Sequence, residues 1–405
     1  MNNKLSSLSC QKGFLNQEIV YRISENKPIE EIEITNFIKN SNLDDLLSFS
    51  RYLRDKNNSS KVISYSRKIF INLINLCKDS CSYCTYKKEP YTSEVVMLKP
   101  HQVLSLADAG KKLKCTEALL VTGERPELKY SEAKKWLNEL GYKNLVELIA
   151  YLSEIILKNT GLLPHTNAGS LTKKEMAMLK STNVSLGMML ENASEKLLEL
   201  GKAHEKAPSK NPKVRIKSII SAGELKIPIT TGLLIGIGEQ LVDVIESILL
   251  IKEINEKYGH IQEVIIQNFT PKIGTSMYNC KPPSDTYFLK CIAIARILLT
   301  GINIQVPPNL SPNVYANYLD AGINDWGGIS PLTPDYVNPE YPWPTINEVK
   351  TVTNSKGFNL RARLPIYPEY IINKNNLENF VAPNLKEFIE PLIDEKGLVK
   401  EDYIL

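Results

Sequence analysis

Three cysteines fall within the eight-residue stretch Cys77-Lys78-Asp79-Ser80-Cys81-Ser82-Tyr83-Cys84, with three residues between the first two and two between the last two. Just upstream, residues 68–76 read Lys-Ile-Phe-Ile-Asn-Leu-Ile-Asn-Leu, a short apolar run rich in β-formers and the pattern of a buried strand. The thiols therefore sit in a loop leaving the end of a strand, where a βα barrel keeps its chemistry. Three clustered thiolates can hold three irons of a [4Fe–4S] cluster, which normally takes four cysteine ligands. A fourth iron left without a protein ligand is free to bind a substrate or cofactor.

Other thiol chemistries compete with this reading. A structural zinc site wants four ligands, usually as two separated pairs. Here Cys10, Cys115, Cys280 and Cys291 are scattered, and His101, His165, His204 and His260 stand singly. A dithiol pair of Cys81 and Cys84 would leave Cys77 surplus. Seven cysteines is an odd number, and no secretory segment is visible, which argues against a disulfide framework.

The elements that must position this loop are an alternation of strands and helices, the sign of βαβ units and a parallel sheet. Strands are expected at 68–76, 117–121, 162–164, 184–190, 229–235 and 263–268, with a further short run at 303–306. Helices are expected between them, near 100–114, 131–140, 144–158, 214–222 and 286–299. The helix carrying Leu241, Val244, Ile245, Ile248 and Ile251 on one stripe is the clearest amphipathic one. The fold class is α/β, a partial or complete (β/α) TIM-type barrel over residues 67–307. Residues 1–66 form a helical N-terminal extension (29–39 and 43–54) ending in the polar linker 56–61. Residues 308–405, rich in proline with interleaved aromatics, are expected to be an extended, loop-like extension covering the barrel.

Composition bounds the function. A chain of 405 residues with 43% hydrophobic residues suits a barrel with extensions at both ends. A net charge of +4 without an arginine-rich patch argues against a nucleic-acid partner. No apolar run approaches the ~18 residues that a membrane span needs. A cytoplasmic enzyme in a thiol-reducing compartment is the expectation.

A barrel brings its strand ends to one face, so polar residues there are read together. Gly123 and Glu124 follow the second strand: the glycine admits close backbone approach and the carboxylate can pair with an ammonium group. Glu191 ends the fourth strand. Gly236 lies in Gly232-Leu-Leu-Ile-Gly236-Ile-Gly-Glu239 at the end of the fifth. His165 and Asn167 after the third strand, and Gln267 and Asn268 at the end of the sixth, are candidate partners for a polar, ring-bearing substrate.

The Cys-x3-Cys-x2-Cys loop after a strand, with Tyr83 before its last cysteine, resembles the radical S-adenosylmethionine superfamily. That resemblance implies a [4Fe–4S] cluster on Cys77, Cys81 and Cys84 whose open iron chelates S-adenosylmethionine. An electron then splits the sulfonium into methionine and a hydrogen-abstracting 5′-deoxyadenosyl radical. It also implies cofactor contacts at Tyr83, Gly123 and Glu124 (the methionine amino group), Glu191 and Gly236 (the adenine).

Five further stretches, in order, tighten the resemblance: Val121-Thr-Gly-Glu-Arg-Pro-Glu127, Leu163-Pro-His-Thr-Asn-Ala-Gly169, Ser185-Leu-Gly-Met-Met-Leu-Glu191, His260-Ile-Gln-Glu-Val-Ile-Ile-Gln-Asn-Phe269 and Ala321-Gly-Ile-Asn-Asp-Trp-Gly-Gly-Ile-Ser-Pro-Leu-Thr-Pro334. Together they are similar to the cyclising subunit of 7,8-didemethyl-8-hydroxy-5-deazariboflavin synthases, which build the deazaflavin of coenzyme F420. Departures are Thr85-Tyr86-Lys87-Lys88, where an arginine-containing run is usual, and Ala168, where proline is usual. The resemblance implies a small-molecule adduct supplied by a sister radical enzyme, ring closure with release of ammonia, and an electron donor such as ferredoxin or flavodoxin. The competing readings are another ring-forming or carbon–carbon-bond-forming radical enzyme, such as one of menaquinone biosynthesis, and a non-catalytic iron–sulfur carrier.

Overall fold

The computed structural model describes residues 16–58 and 60–404; Cys10 lies outside them. Eight parallel strands close into a barrel: β1 (Val62–Ile74), β2 (Glu117–Thr122), β3 (Leu163–Asn167), β4 (Ser185–Gly187), β5 (Ile229–Ile235), β6 (Ile261–Asn268), β7 (Asn303–Gln305) and β8 (Asp325–Ile329). Closure depends on the length of β1. Its upper half pairs with β2 from Lys68↔Glu117 onward, and its lower half pairs with β8 at Ser64↔Asp325 and Ser66↔Gly328. The lower half also carries a ninth strand, β9 (Asn359–Arg363), in parallel register.

Alternation along the strands makes two environments. Lys68 and Phe70, Glu117 and Leu119, and Glu263, Ile265 and Gln267 face the barrel interior. Ile69, Ile71, Ala118, Leu120, Val264 and Ile266 face outward into the apolar core beneath the helices. The helix Leu241–Tyr258 illustrates that shell: Val244, Ile245, Ile248 and Ile251 are buried at helical spacing, and Gly259 ends it at φ 65°. The N-terminal extension is helical at Gln17–Ser24, Glu31–Asn40 and Leu43–Asn57. The last of these packs on Asp285–Leu298, and its buried Arg54 donates to the carbonyl of Leu319. Among the described residues no helix is long and apolar enough to cross a membrane.

The structure departs from the sequence-based expectation in four places. β1 starts at Val62, earlier than 68, because Val-Ile-Ser-Tyr-Ser mixes serines into a strand that pairs on both edges. β3 runs on to Asn167, so His165 and Asn167 lie on the strand rather than after it. β4 is only three residues long, and Glu191 beyond it takes a left-handed conformation at φ 66°. Finally, the stretch 308–405, expected to be loop-like, contains the eighth barrel strand, the helix Ile346–Ser355 and β9. Asp-Trp-Gly-Gly-Ile does not read as a strand, because glycines weaken strands and a charged residue seldom opens a buried one.

What makes that strand hold is Arg363. It is 3% exposed, and its Nε donates to Asp325 Oδ2 at 2.7 Å. Its Nη2 donates to Asp325 Oδ1 at 3.0 Å and to Glu263 Oε1 at 3.2 Å, and its guanidinium stacks on Tyr367 at 4.0 Å. Gln262 Nε2 and Ser185 Oγ donate to the carbonyl of Pro365, so the chain after β9 seals the barrel floor. Removing one partner of a buried ion network strands the others. Arg363→Leu is therefore expected to cost about 3–5 kcal/mol of stability, read from the urea midpoint. An unchanged midpoint would show that the floor closes without the ion network.

Candidate active site

The cysteine loop is fixed by its backbone. Gly123 N–H donates to Ile74 O at 2.9 Å and Lys78 N–H donates to Glu124 O at 2.7 Å, tying the loop to the end of β2. A Cβ at Gly123 would lie 2.0 Å from Leu76 O, so only glycine allows this approach. Beyond the first thiol, Ser80 N–H donates to Lys206 O at 2.8 Å and Ser82 N–H to Ala203 O at 2.9 Å. Glu124 N–H donates to Cys77 Sγ at 3.2 Å. Tyr83 hydrogen-bonds His204 Nε2 at 3.0 Å and meets its ring edge-on.

Cys77, Cys81 and Cys84 are free thiols facing one cavity at the C-terminal ends of the strands. Burial pushes the Cys77 thiol up to about 11 and the Cys81 thiol up to about 12, so a metal binding there would displace protons. Three thiols on one cavity wall suit a [4Fe–4S] cluster, whose cysteine ligands each take a different iron, whereas a structural zinc site wants four ligands on one ion.

The same upper cavity gathers Tyr83, Gly123, Glu124, Asn167, Glu191, Gln267 and Asn268. Glu124 accepts from Ser170 N–H at 3.0 Å and Ser170 Oγ at 2.6 Å. Glu191 is paired with Lys210; burial pushes its carboxyl up, but Lys210 and Arg215 outweigh this and hold it low. The buried atoms Asp79 Oδ1, Thr122 Oγ1 and Asn268 Oδ1 on this wall have no hydrogen-bond partner. A cavity with free thiols, two buried carboxylates and unpartnered polar atoms fits an iron–sulfur cluster with an amino-acid-bearing ligand. Gly236 does not line it. It sits at φ 97° against Pro283, its N–H donating to Glu239 Oε1 at 2.7 Å, and Leu234 supplies the cavity wall from β5 instead.

A second cavity lies deeper in the barrel and shares Val121, Asn167, Met189 and Gln267 with the first. His165 belongs here rather than at the mouth. Its Nδ1 hydrogen-bonds Ser185 Oγ at 2.6 Å, and burial, aided by Lys68 and Arg363, lowers its pKa to about 4. Gly187 is required beside it, since a Cβ there would lie 2.7 Å from His165 Nε2. Sequence reasoning missed Lys68, Glu117, Glu263 and Arg363 in this chamber. The signal was available for three of them: Lys68, Glu117 and Glu263 stand in phase with interior residues at alternate positions. Burial pushes the Glu263 carboxyl up to about 7; Arg363 opposes this and Asp325 adds to it.

Gly123→Ala tests the close approach without any bound group. The added methyl is expected to push the cysteine loop off β2 and speed alkylation of Cys77 in metal-free protein several-fold. An unchanged labelling rate would mean that the loop absorbs the methyl and that Gly123 is not what seats it.

The model of the Radical SAM superfamily matches residues 71–251. The chain is 43% identical to the 7,8-didemethyl-8-hydroxy-5-deazariboflavin synthase of Methanopyrus kandleri over 84% of this chain and 100% of that one. It is 46% identical to the same-named protein of Methanocaldococcus jannaschii over 85% and 94%, and 47% identical to that of Methanococcus vannielii over 81% and 92%. Among solved structures, methylornithine synthase superposes with a TM-score of 0.65 at 17% identity, covering 84% of this chain and 97% of that one. The FeFe-hydrogenase maturase HydG from Carboxydothermus hydrogenoformans gives 0.68 at 20%, covering 100% and 90%, a likeness of fold. The chain is an enzyme that belongs to the 7,8-didemethyl-8-hydroxy-5-deazariboflavin synthase family within the Radical SAM superfamily.

Proposed function

We propose that this enzyme cyclises 5-amino-5-(4-hydroxybenzyl)-6-(D-ribitylimino)-5,6-dihydrouracil to 7,8-didemethyl-8-hydroxy-5-deazariboflavin, with release of ammonia, in coenzyme F420 biosynthesis. Family membership supports the deazaflavin product. The observation that carries the reading is the stacking of two chambers with a common wall, cysteines above and a polar, ring-sized space below. A sister radical enzyme would supply the adduct, since this chain has one cysteine triplet, and a carrier such as ferredoxin or flavodoxin would supply the electron.

Cys77, Cys81 and Cys84 would hold a [4Fe–4S] cluster, and Tyr83, Gly123, Glu124 and Glu191 would surround S-adenosylmethionine. Bound there, the pair supplies one-electron chemistry that removes a hydrogen atom from a substrate. The remaining work falls to side chains of this chain. Glu124 is held by Ser170 so that its carboxylate faces the cavity as a partner for an ammonium group. Lys210 and Arg215 keep Glu191 ionised. Asn167 and Gln267 stand on the shared wall with both donors and acceptors, suited to the carbonyl and N–H edge of a pyrimidine. The hydrogen bonds around Arg363 and Pro365 bound the lower chamber from below.

Three outcomes are expected. Alanine at Cys77, Cys81 or Cys84 should abolish iron binding after anaerobic reconstitution, whereas alanine at Cys10, Cys115, Cys280 or Cys291 should not. Stoichiometric zinc without iron would sink the assignment. Glu124→Gln should raise the Kd for S-adenosylmethionine about tenfold, the equivalent of 1.4 kcal/mol, with iron content unchanged; a change within twofold would make Glu124 a bystander. Given the adduct, S-adenosylmethionine and reductant, the protein should form a fluorescent deazaflavin with 5′-deoxyadenosine, methionine and ammonia, and none from tyrosine and the ribitylaminouracil without the sister enzyme. Cleavage of S-adenosylmethionine with no turnover of the adduct would favour another ring-forming radical enzyme.

A further inference from the structure

Lys68 is a buried cation on the β1 side of the lower chamber. It is 9% exposed, faces the lower chamber, and makes no hydrogen bond or ion pair among the described residues. Of the other carboxylates acting on it besides Glu117, Glu263 is taken by Arg363 and Asp335 by Asn309 and Asn338. Its ammonium instead lies 5.0 Å from the Trp343 ring centre and 5.4 Å from that of Phe70. Burial pushes it down, with Glu117 the first of the groups pulling it back up. An ammonium turned into a cavity between two rings, without a full partner, is poised for an oxygen acceptor carried on an aromatic ligand.

The lining divides by chemistry. Phe70, Leu119 and Trp343 make an apolar slot on the β1–β2 side, and Lys68 and Glu117 form its floor as direct neighbours across the strands. The amides Asn167 and Gln267 lie higher, on the wall shared with the cysteine chamber. Resting on the function proposed above, we infer that Lys68 and Glu117 bind the phenol hydroxyl of the hydroxybenzyl ring, Lys68 donating to its oxygen and Glu117 accepting its proton. A phenol offers one donor and one acceptor, which matches this pair. Glu117 is held in place by Ser66 Oγ, which donates to its Oε2. The ring then fills the apolar slot, and its methylene and the uracil point up toward the amides and the cysteine chamber.

The test is equilibrium binding, under anaerobic conditions, of the adduct and of its analogue with an unsubstituted benzyl ring to the full chain and to Lys68→Met and Lys68→Arg. Lys68→Met should weaken adduct binding about 10- to 100-fold, the range for a hydrogen bond to a charged group, and change binding of the benzyl analogue by less than twofold. Lys68→Arg should fall between wild type and Lys68→Met for the adduct. Equal losses for both ligands, or no loss for either, would overturn the assignment of Lys68 while leaving the proposed function standing. Wild-type protein that binds neither ligand would overturn the proposed function and this inference with it.

Discussion

A guanidinium cannot be buried alone, and that constraint organises the lower half of this barrel. Arg363 arrives on β9, outside the ring of eight strands, and finds its carboxylates on β6 and β8. Meeting its pairing requirement draws β9, β8 and β6 to one point and places the carbonyl of Pro365 under Ser185 and Gln262. The same charges become the floor of the lower chamber. Buried ion networks are weak net stabilisers but costly to break, so their value here is in fixing where the strands meet.

At the other end of the barrel the constraint is steric. The cysteine loop can lie across the end of β2 only because Gly123 has no Cβ; Gly123 N–H then donates to Ile74, and the loop's backbone donates to Glu124, Lys206 and Ala203 in turn. Main-chain hydrogen bonds on both flanks hold the loop so that its three sulfurs share one cavity wall. Preorganisation of that kind removes the entropy of ordering the ligands from the cost of binding.

Between these ends the barrel interior departs from an ordinary core. Layers that in many barrels are filled by branched apolar side chains carry Lys68, Glu117, Glu263 and His165 here, with glycines at 187 and 328 opening space beside them. Each of those polar groups costs stability unless paired. The outer apolar shell, continuous from β1 through the helices, supplies the stability that lets the interior remain polar and hollow.

The sequence alone determined the cysteine loop, the alternation of strands and helices, and most strand-end residues of the upper cavity. These are local features: spacing, apolar runs and residue type at a strand end survive without knowledge of partners. Glu124, Tyr83, Glu191 and the amides Asn167, Gln267 and Asn268 were legible as residues of that cavity for that reason. Tertiary structure decided the rest. Gly236, expected from its glycine-rich surroundings at the cofactor, lies outside the lining of the upper cavity, against Pro283 and with its N–H on Glu239. His165 belongs to the lower chamber because β3 is longer than its apolar run. The eighth strand was illegible because Asp-Trp-Gly-Gly-Ile becomes a strand only through pairing with β1 and through Arg363, 38 residues further on. Closure of the barrel and the charge of its floor are agreements between residues far apart in the chain. They are fixed by the requirement that buried charges meet, which no local pattern records.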